Sequence, residues 1–334
     1  MPKVTVIIPT HNRAQLLEKA IQSVLNQTYT DFEVLVCDDA STDNTWQIVE
    51  SFSDKRIRFV RYQKNIGVIS VRNIAIVDSR GDYIALLDDD DEWLPPKLEK
   101  QLELLEGSST KLGAVYTGAY SIDMELGKMI YIRIPEFRGN ILQGLLFEDF
   151  ITNSSIVLKK SCFERVGLFD PEYKSASDFD MWIRIAKDYE FDYVNDLLVK
   201  HRIQQCSISH NHHNVIMGLE RLMMKHYNLF KCYNRAYANH QFNIGVAYCY
   251  VNNIKEGRRA FLRSIYKYPY EIKVYYNLFL SFFGIHAYKI IKSAKKKIIL
   301  KFGSINTNTG KITIMASIFK KKRHPNLDRL DVQD

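Results

Sequence analysis

The sequence predicts an α/β domain with a mostly parallel sheet flanked by helices, followed by an all-helical extension. Three observations predict it. Short apolar, β-branched runs alternate with segments of helical period through the first half. Val4–Pro9 and Tyr83–Leu87 are nearly continuous apolar runs, as expected of strands covered on both faces. Beyond about His213, Gly and Pro become rare while Met, Tyr, Phe and Lys rise.

The elements follow in order. Val4–Pro9 reads as a strand. Between Arg13 and Gln27, Leu16, Leu17, Ala20, Ile21, Val24 and Leu25 recur with helical spacing. Phe32–Cys37 is a strand, Thr45–Phe52 a helix and Ile57–Tyr62 a strand. Val68–Ser79 is a helix, Asp82–Leu87 a strand and Pro95–Glu106 a helix. This βαβα order calls for a parallel sheet with helices on both faces. From Leu112 to Leu158 the pattern loosens, with strands at Gly113–Tyr120 and Lys128–Ile134. Asp178–Lys187 is a helix that Ser177 is placed to cap, and Leu197–Ile203 is a last strand. Gly245, Tyr248, Gly257, Phe261 and Pro269 then fall at the offsets of one tetratricopeptide-like helical hairpin, and a plain antiparallel helix pair fits equally. The domains read as 1–212 (catalytic), 213–303 (helical, basic) and 304–334 (a loosely ordered tail).

The chain has 334 residues and a net charge of +8, divided unevenly. Residues 1–210 carry 24 Lys and Arg against 32 Asp and Glu; residues 211–334 carry 22 against 6. The second part is thus expected to face something anionic. Five scattered cysteines without a CxxC pair argue against a disulfide framework or a thiolate zinc site. The N-terminus has no signal-peptide pattern, and no run reaches the ~18–20 apolar residues of a spanning helix. The expectation is a cytoplasmic chain, either soluble or peripheral at the inner face of the membrane.

Candidate chemistry gathers where strands end. Asp88-Asp89-Asp90-Asp91 directly follows a buried-type strand, at the carboxyl edge where open α/β sheets bind ligands. Four like charges there call for a cation. In an extended segment Asp88 and Asp90 share a side, an arrangement suited to Mg²⁺ or Mn²⁺ with phosphate oxygens. Asp38-Asp39 ends the second strand, where one carboxylate can accept from a nucleobase or ribose and the other can cap a turn with Ser41 and Thr42. In Pro9-Thr10-His11-Asn12-Arg13, Thr10 and Arg13 can reach a nucleotide, and Asn12 is equally a helix cap. Neither GxGxxG nor a P-loop pattern is present, so dinucleotide and P-loop readings lose support. Arg72, among apolar neighbours, wants a carboxylate or a diphosphate.

On the later helix, Asp178, Met181, Trp182 and Ile185 share the inward stripe, so Asp178 must face a cleft, where it can act as a base. Asp180 instead has Arg184 four residues on and reads as structural. Trp46, Trp93 and Trp182 read as core or cleft-wall rings, and His210, His212 and His213 as a solvated linker rather than a zinc site. Lys289, Lys292, Lys295, Lys296, Lys297 and Lys301 alternate with Ile and Leu. Such a helix either lies on an anionic membrane surface or docks its apolar face on the domain. No nucleic-acid-binding motif accompanies the charge.

Taken together, VTVIIPTHNR (4–13), SVLNQTY (23–29), FEVLVCDDASTD (32–43), residues 65–73, GDYIALLDDDDEWLP (81–95), VGLFD (166–170) and DFDMWIR (178–184) resemble family 2 glycosyltransferases over about residues 1–210. The resemblance implies the GT-A fold and inverting transfer of a sugar from a nucleotide-diphosphate donor, usually UDP-linked, to a hydroxyl. It implies Asp90 as the ligand of a divalent cation and Asp178 as catalytic base. Thr10, His11, Arg13, Asp39, Arg72, Asp88 and Asp89 would bind the nucleotide-sugar. The implied acceptor is a glycan or lipid-linked glycan of capsule, O-antigen or exopolysaccharide assembly. The alternative is a non-catalytic sugar-nucleotide-binding or scaffolding protein.

Overall fold

The computed structural model describes residues 1–123, 128–203, 211–285 and 288, and the backbone of 304–305 and 312–313. Two compact units divide the chain, Met1–Gln204 and Gln205–Asp334.

The first unit is built on β1 (Val4–Thr10), β2 (Phe32–Asp38), β3 (Ile57–Arg61), β4 (Tyr83–Leu86), β5 (Glu92–Trp93), β6 (Leu112–Asp123), β7 (Lys128–Arg133), β8 (Val157–Lys159) and β9 (Glu190–Ile203). They form one sheet in the order β3-β2-β1-β4-β8-β6-β9-β5, with β7 paired to β6. Strands β3, β2, β1 and β4 are parallel, as the βαβα order requires. Past β4 the sheet is mixed: β8 is antiparallel to β4 and β6, β9 is parallel to β6, and β5 is antiparallel to β9.

Helices α1 (Ala14–Leu25), α2 (Thr45–Ser51), α3 (Val68–Asp78), α4 (Lys97–Glu106), α5 (Leu142–Phe147), α6 (Lys160–Val166) and α7 (Ser177–Ile185) complete the unit. The apolar stripe of α1, Leu17, Ala20, Ile21 and Val24, is fully buried in one core with Val4, Val6 and Ile8 of β1 and Leu98 and Leu102 of α4. Register positions the site. Thr10 lies opposite Asp38, and Ile7 opposite Leu86, so the carboxyl ends of β1, β2 and β4 share one edge.

The second unit comprises α8 (His212–Lys225), α9 (Tyr227–Cys232), α10 (Asn234–Tyr250), α11 (Ile254–Lys267) and α12 (Ile272–Ser281). The hairpin read from Gly245 and Gly257 is α10 against α11, and it crosses at those glycines. A Cβ on Gly245 would lie 2.6 Å from the Phe261 ring and 3.0 Å from the Gly257 carbonyl oxygen. Alanine normally stabilises a helix relative to glycine by about 1 kcal/mol. Here Gly245→Ala is expected to invert that sign and cost roughly 1–3 kcal/mol through overpacking. Circular dichroism melting of the full chain measures it.

Some local expectations change. Ser177 is the first helical residue of α7 rather than its cap; Ala176 takes that place in a left-handed conformation (φ 63°). Asn12 does not cap α1 either, and Asp43 reaches over to accept from the Ala14 N–H at 3.0 Å. The linker read around His212 opens α8, where the Asn211 side chain accepts from the His213 and Asn214 amides and His212 stacks on Tyr250. Trp93 and Trp182 are buried, whereas Trp46 is exposed against Phe59. His210 and the Lys289–Lys301 segment lie outside the described residues. Among the described residues no helix is long and apolar enough to cross a membrane.

Candidate active site

The acidic tetrad is a turn, not the extended segment expected from sequence. The Asp91 amide donates to the Asp88 carbonyl oxygen at 3.0 Å. The four side chains consequently take partly different partners, with Asp89 and Asp90 sharing Arg13. Asp88 accepts from Arg72 Nη2 and Asn153 Nδ2, both at 2.9 Å. Asp89 accepts from Thr10 Oγ1 at 2.8 Å and from Arg13 Nη1 at 3.0 Å, so each oxygen already has a donor. Asp90 accepts from Arg13 Nη1 at 3.0 Å. Asp91, fully buried, accepts from Ser154 Oγ (2.6 Å), His201 Nδ1 (3.0 Å) and the Arg202 amide (3.1 Å).

Ser154 holds this turn in shape. Its hydroxyl accepts from the Asp88 amide while donating to Asp91, and its carbonyl accepts from Trp93 Nε1 at 2.7 Å. Sequence reasoning missed Asn153, Ser154 and His201. They come from the irregular stretch before β8 and from the end of β9, where no periodicity marks a side chain as facing the turn.

Crowding of carboxylates sets the electrostatics. Burial first, then Asp91, Asp88 and Asp89, push the Asp90 carboxyl up to about 7, with Arg13 opposing. Asp88 is also raised by burial, with Arg72 opposing and Asp91, Asp89 and Asp178 adding repulsion. Among the described residues no group of three or more His, Cys, Asp or Glu side chains has metal-holding geometry. The donor set instead fits Mg²⁺ or Mn²⁺ held by one or two carboxylates and completed by substrate phosphates and water. Asp90 and Asp88 supply carboxylates of that kind, and a cation would relieve the repulsion that raises them.

Around the turn, the same sheet edge gathers the other candidates. The Asp39 carboxylate accepts from the Ile66 amide (2.7 Å) and the Gly67 amide (2.9 Å). His11 Nδ1 donates to the Asp39 carbonyl at 2.7 Å. Asp38 takes the turn-capping role, accepting from the Ser41 amide at 2.9 Å. Arg72 is buried and lies 5.3 Å from the Phe169 ring centre. Its neighbour Asn73 clasps Phe169 through both its amide and its carbonyl, tying α3 to the chain that leads into α7.

Asp178, in the first turn of α7, adds its charge at both Asp88 and Asp149. Its charge is thus felt at the tetrad through Asp88. Asp149, just after α5, is a further residue that sequence reasoning missed. Burial first, then Asp178, push its carboxyl up to about 8, with Arg133 opposing. Its proton is held more tightly in the folded than in the unfolded chain, so this group lowers stability as pH rises from 3.8 to about 8. Asp149→Asn is expected to raise the melting temperature by a few degrees at alkaline pH, with the gain fading toward the ordinary aspartate range. Thermal melts across pH check it.

Carboxylates and arginines thus gather at the carboxyl edge of a mostly parallel sheet, where open α/β folds bind their ligands. The sequence matches the family model described as "Glycosyl transferase family 2" over residues 5–164. WfgD of Escherichia coli, a UDP-Glc:alpha-D-GlcNAc-diphosphoundecaprenol beta-1,3-glucosyltransferase, is 32% identical over 215 residues, spanning 62% of this chain and 80% of that protein. Among solved structures, S. aureus TarS 1–349 in complex with UDP-GlcNAc superposes with a TM-score of 0.60 at 16% identity, covering 94% of this chain and 96% of that one. The mannosyltransferase PcManGT from Pyrobaculum calidifontis, in complex with GDP-Man and Mn²⁺, gives 0.57 at 18% identity, covering 88% of each chain. The chain belongs to glycosyl transferase family 2. It is a glycosyltransferase with the GT-A fold.

Proposed function

We propose that the protein moves a sugar from a nucleotide-diphosphate donor, a UDP-sugar, to a hydroxyl of a lipid-linked glycan in cell-surface polysaccharide assembly, with inversion at the anomeric carbon. The observation that carries this is the gathering of Thr10, Arg13, Asp39, Arg72 and the Asp88–Asp91 turn at one strand edge, with the charge of Asp178 felt at Asp88. The name of WfgD pairs a UDP-sugar with a diphosphoundecaprenol acceptor, and this supports both halves of the reading.

In this reading Asp178 accepts the proton of the acceptor hydroxyl, and that oxygen attacks the anomeric carbon from the face opposite the nucleotide. Asp39 accepts from the base, with His11 beside it. Arg13 and Arg72 lie along the diphosphate, where bidentate cations recognise phosphate well. Asp88 borders the ribose and sugar. Asp89, with both oxygens engaged, acts by holding Thr10 and Arg13 in place. Asp90 would hold Mg²⁺ or Mn²⁺, which supplies charge neutralisation for the leaving diphosphate.

Screening UDP-, GDP- and dTDP-sugars for Mn²⁺-dependent nucleotide release tests the donor. UDP-sugars are expected to turn over fastest, with chelation removing nearly all activity. Equal release from all three, or release unaffected by chelation, would refute that reading.

A further inference from the structure

Helix α12 is apolar on two sides. Its inner face, Val274, Asn277, Leu280 and Ser281, is buried with Phe261 and Tyr288. That face is fully engaged: Tyr288 donates to the Asn277 side chain at 2.8 Å, and Arg258 donates to the Ser281 carbonyl at 2.7 Å. The outer face carries Ile272, Tyr275, Tyr276 and Phe279 at helical spacing, continued by Phe282 and Phe283, and it is exposed. The three phenylalanines are 61%, 63% and 57% exposed. Phe279 and Phe283 lie edge to face at 4.9 Å, forming one aromatic ridge.

A helix apolar all round needs a cover. Charge selects the occupant. From Ile272 to Leu327 the sequence has twelve Lys and Arg and no Asp or Glu. Tyr and Phe side chains beside lysines, without acids, form the composition that settles into an anionic bilayer surface.

We propose that the outer face of α12, centred on Phe279, Phe282 and Phe283, is a docking surface for anionic phospholipid. The inference extends the lipid-linked-acceptor reading by naming the face that meets the bilayer. The rings enter the headgroup boundary, and the positive charge that the sequence carries from Ile272 to Leu327 draws the chain to lipid phosphates.

The test is co-sedimentation of the full chain with vesicles of phosphatidylcholine, with and without phosphatidylglycerol. Binding is expected only with phosphatidylglycerol, weakening as salt rises. Phe279→Ser with Phe283→Ser is expected to lower partitioning at least about tenfold, because two buried rings are lost. The substituted positions are exposed, so circular dichroism should be unchanged. In a separate variant, Phe283→Trp, the indole emission should shift to the blue on these vesicles. Unchanged partitioning of the double variant, or no shift in emission, overturns the proposal. So does a lipid-free dimer that the double substitution dissolves, since a second copy would then cover the face. No sugar nucleotide enters this assay, so its failure is distinct from failure of the transfer reading.

Discussion

Asp178→Asn is expected to reduce glycosyl transfer by roughly 10²–10⁴-fold while leaving donor binding intact, because the amide cannot accept the acceptor's proton. Calorimetric titration with the nucleotide and a product assay measure the two effects separately. The melting temperature should change little: within its helix Asp178 accepts one local bond, from the Phe179 amide at 3.0 Å. Substitution also removes a charge that raises Asp88 and Asp149, so those carboxyls should titrate lower in the variant. Full transfer activity in the variant would refute the assignment.

The opposite result is expected two residues away. Asp180 is fully buried, and it accepts from Arg184 Nε at 2.9 Å. Arg184 in turn donates to the carbonyls of Val166 (2.7 Å) and Leu168 (2.8 Å), anchoring α7 to the loop after α6. Asp180→Ala would leave that guanidinium without its counter-charge. Removing one partner of a buried pair costs about 3–5 kcal/mol. In a unit of this size that corresponds to a fall of roughly 10 °C in melting temperature. Below the new midpoint, donor binding is expected to persist. The paired variants separate chemistry from architecture within one turn of helix: one loses transfer without losing stability, the other melts earlier yet binds below its midpoint.

The structural pairing of Asp180 was legible from spacing alone. Arg184 stands four residues from Asp180, and Asp178 shares the inward stripe with Met181, Trp182 and Ile185. The parallel half of the sheet was legible for a similar reason, since β1, β2 and β4 are largely apolar, β-branched runs that end at or just before Thr10, Asp38 and the tetrad. The mixed half was not. Strand β8 has three residues, and β9, which also pairs with β5, meets β6 through shifts in register that no alternation announces. Nor was the shape of the tetrad legible. An aspartate run reads as extended or as a turn with equal ease, and what decides is a set of distant donors: Ser154, His201 and Arg202 around Asp91. Asp149 was hidden for the same reason, because its unusual carboxyl comes from burial and from Asp178, not from its neighbours in sequence.

Ser154 has a consequence for how such chains can diverge. One small hydroxyl accepts a hydrogen bond from the backbone on one side and donates one to a carboxylate on the other, inside a space with no exposure. Alanine and glycine lack the group, and cysteine makes both hydrogen bonds poorly. The position admits few heritable alternatives, and a lineage that lost it would have to rebuild the acidic loop by other means. Residue 154 is accordingly a compact marker by which descendants that keep this geometry can be told from those that have abandoned it.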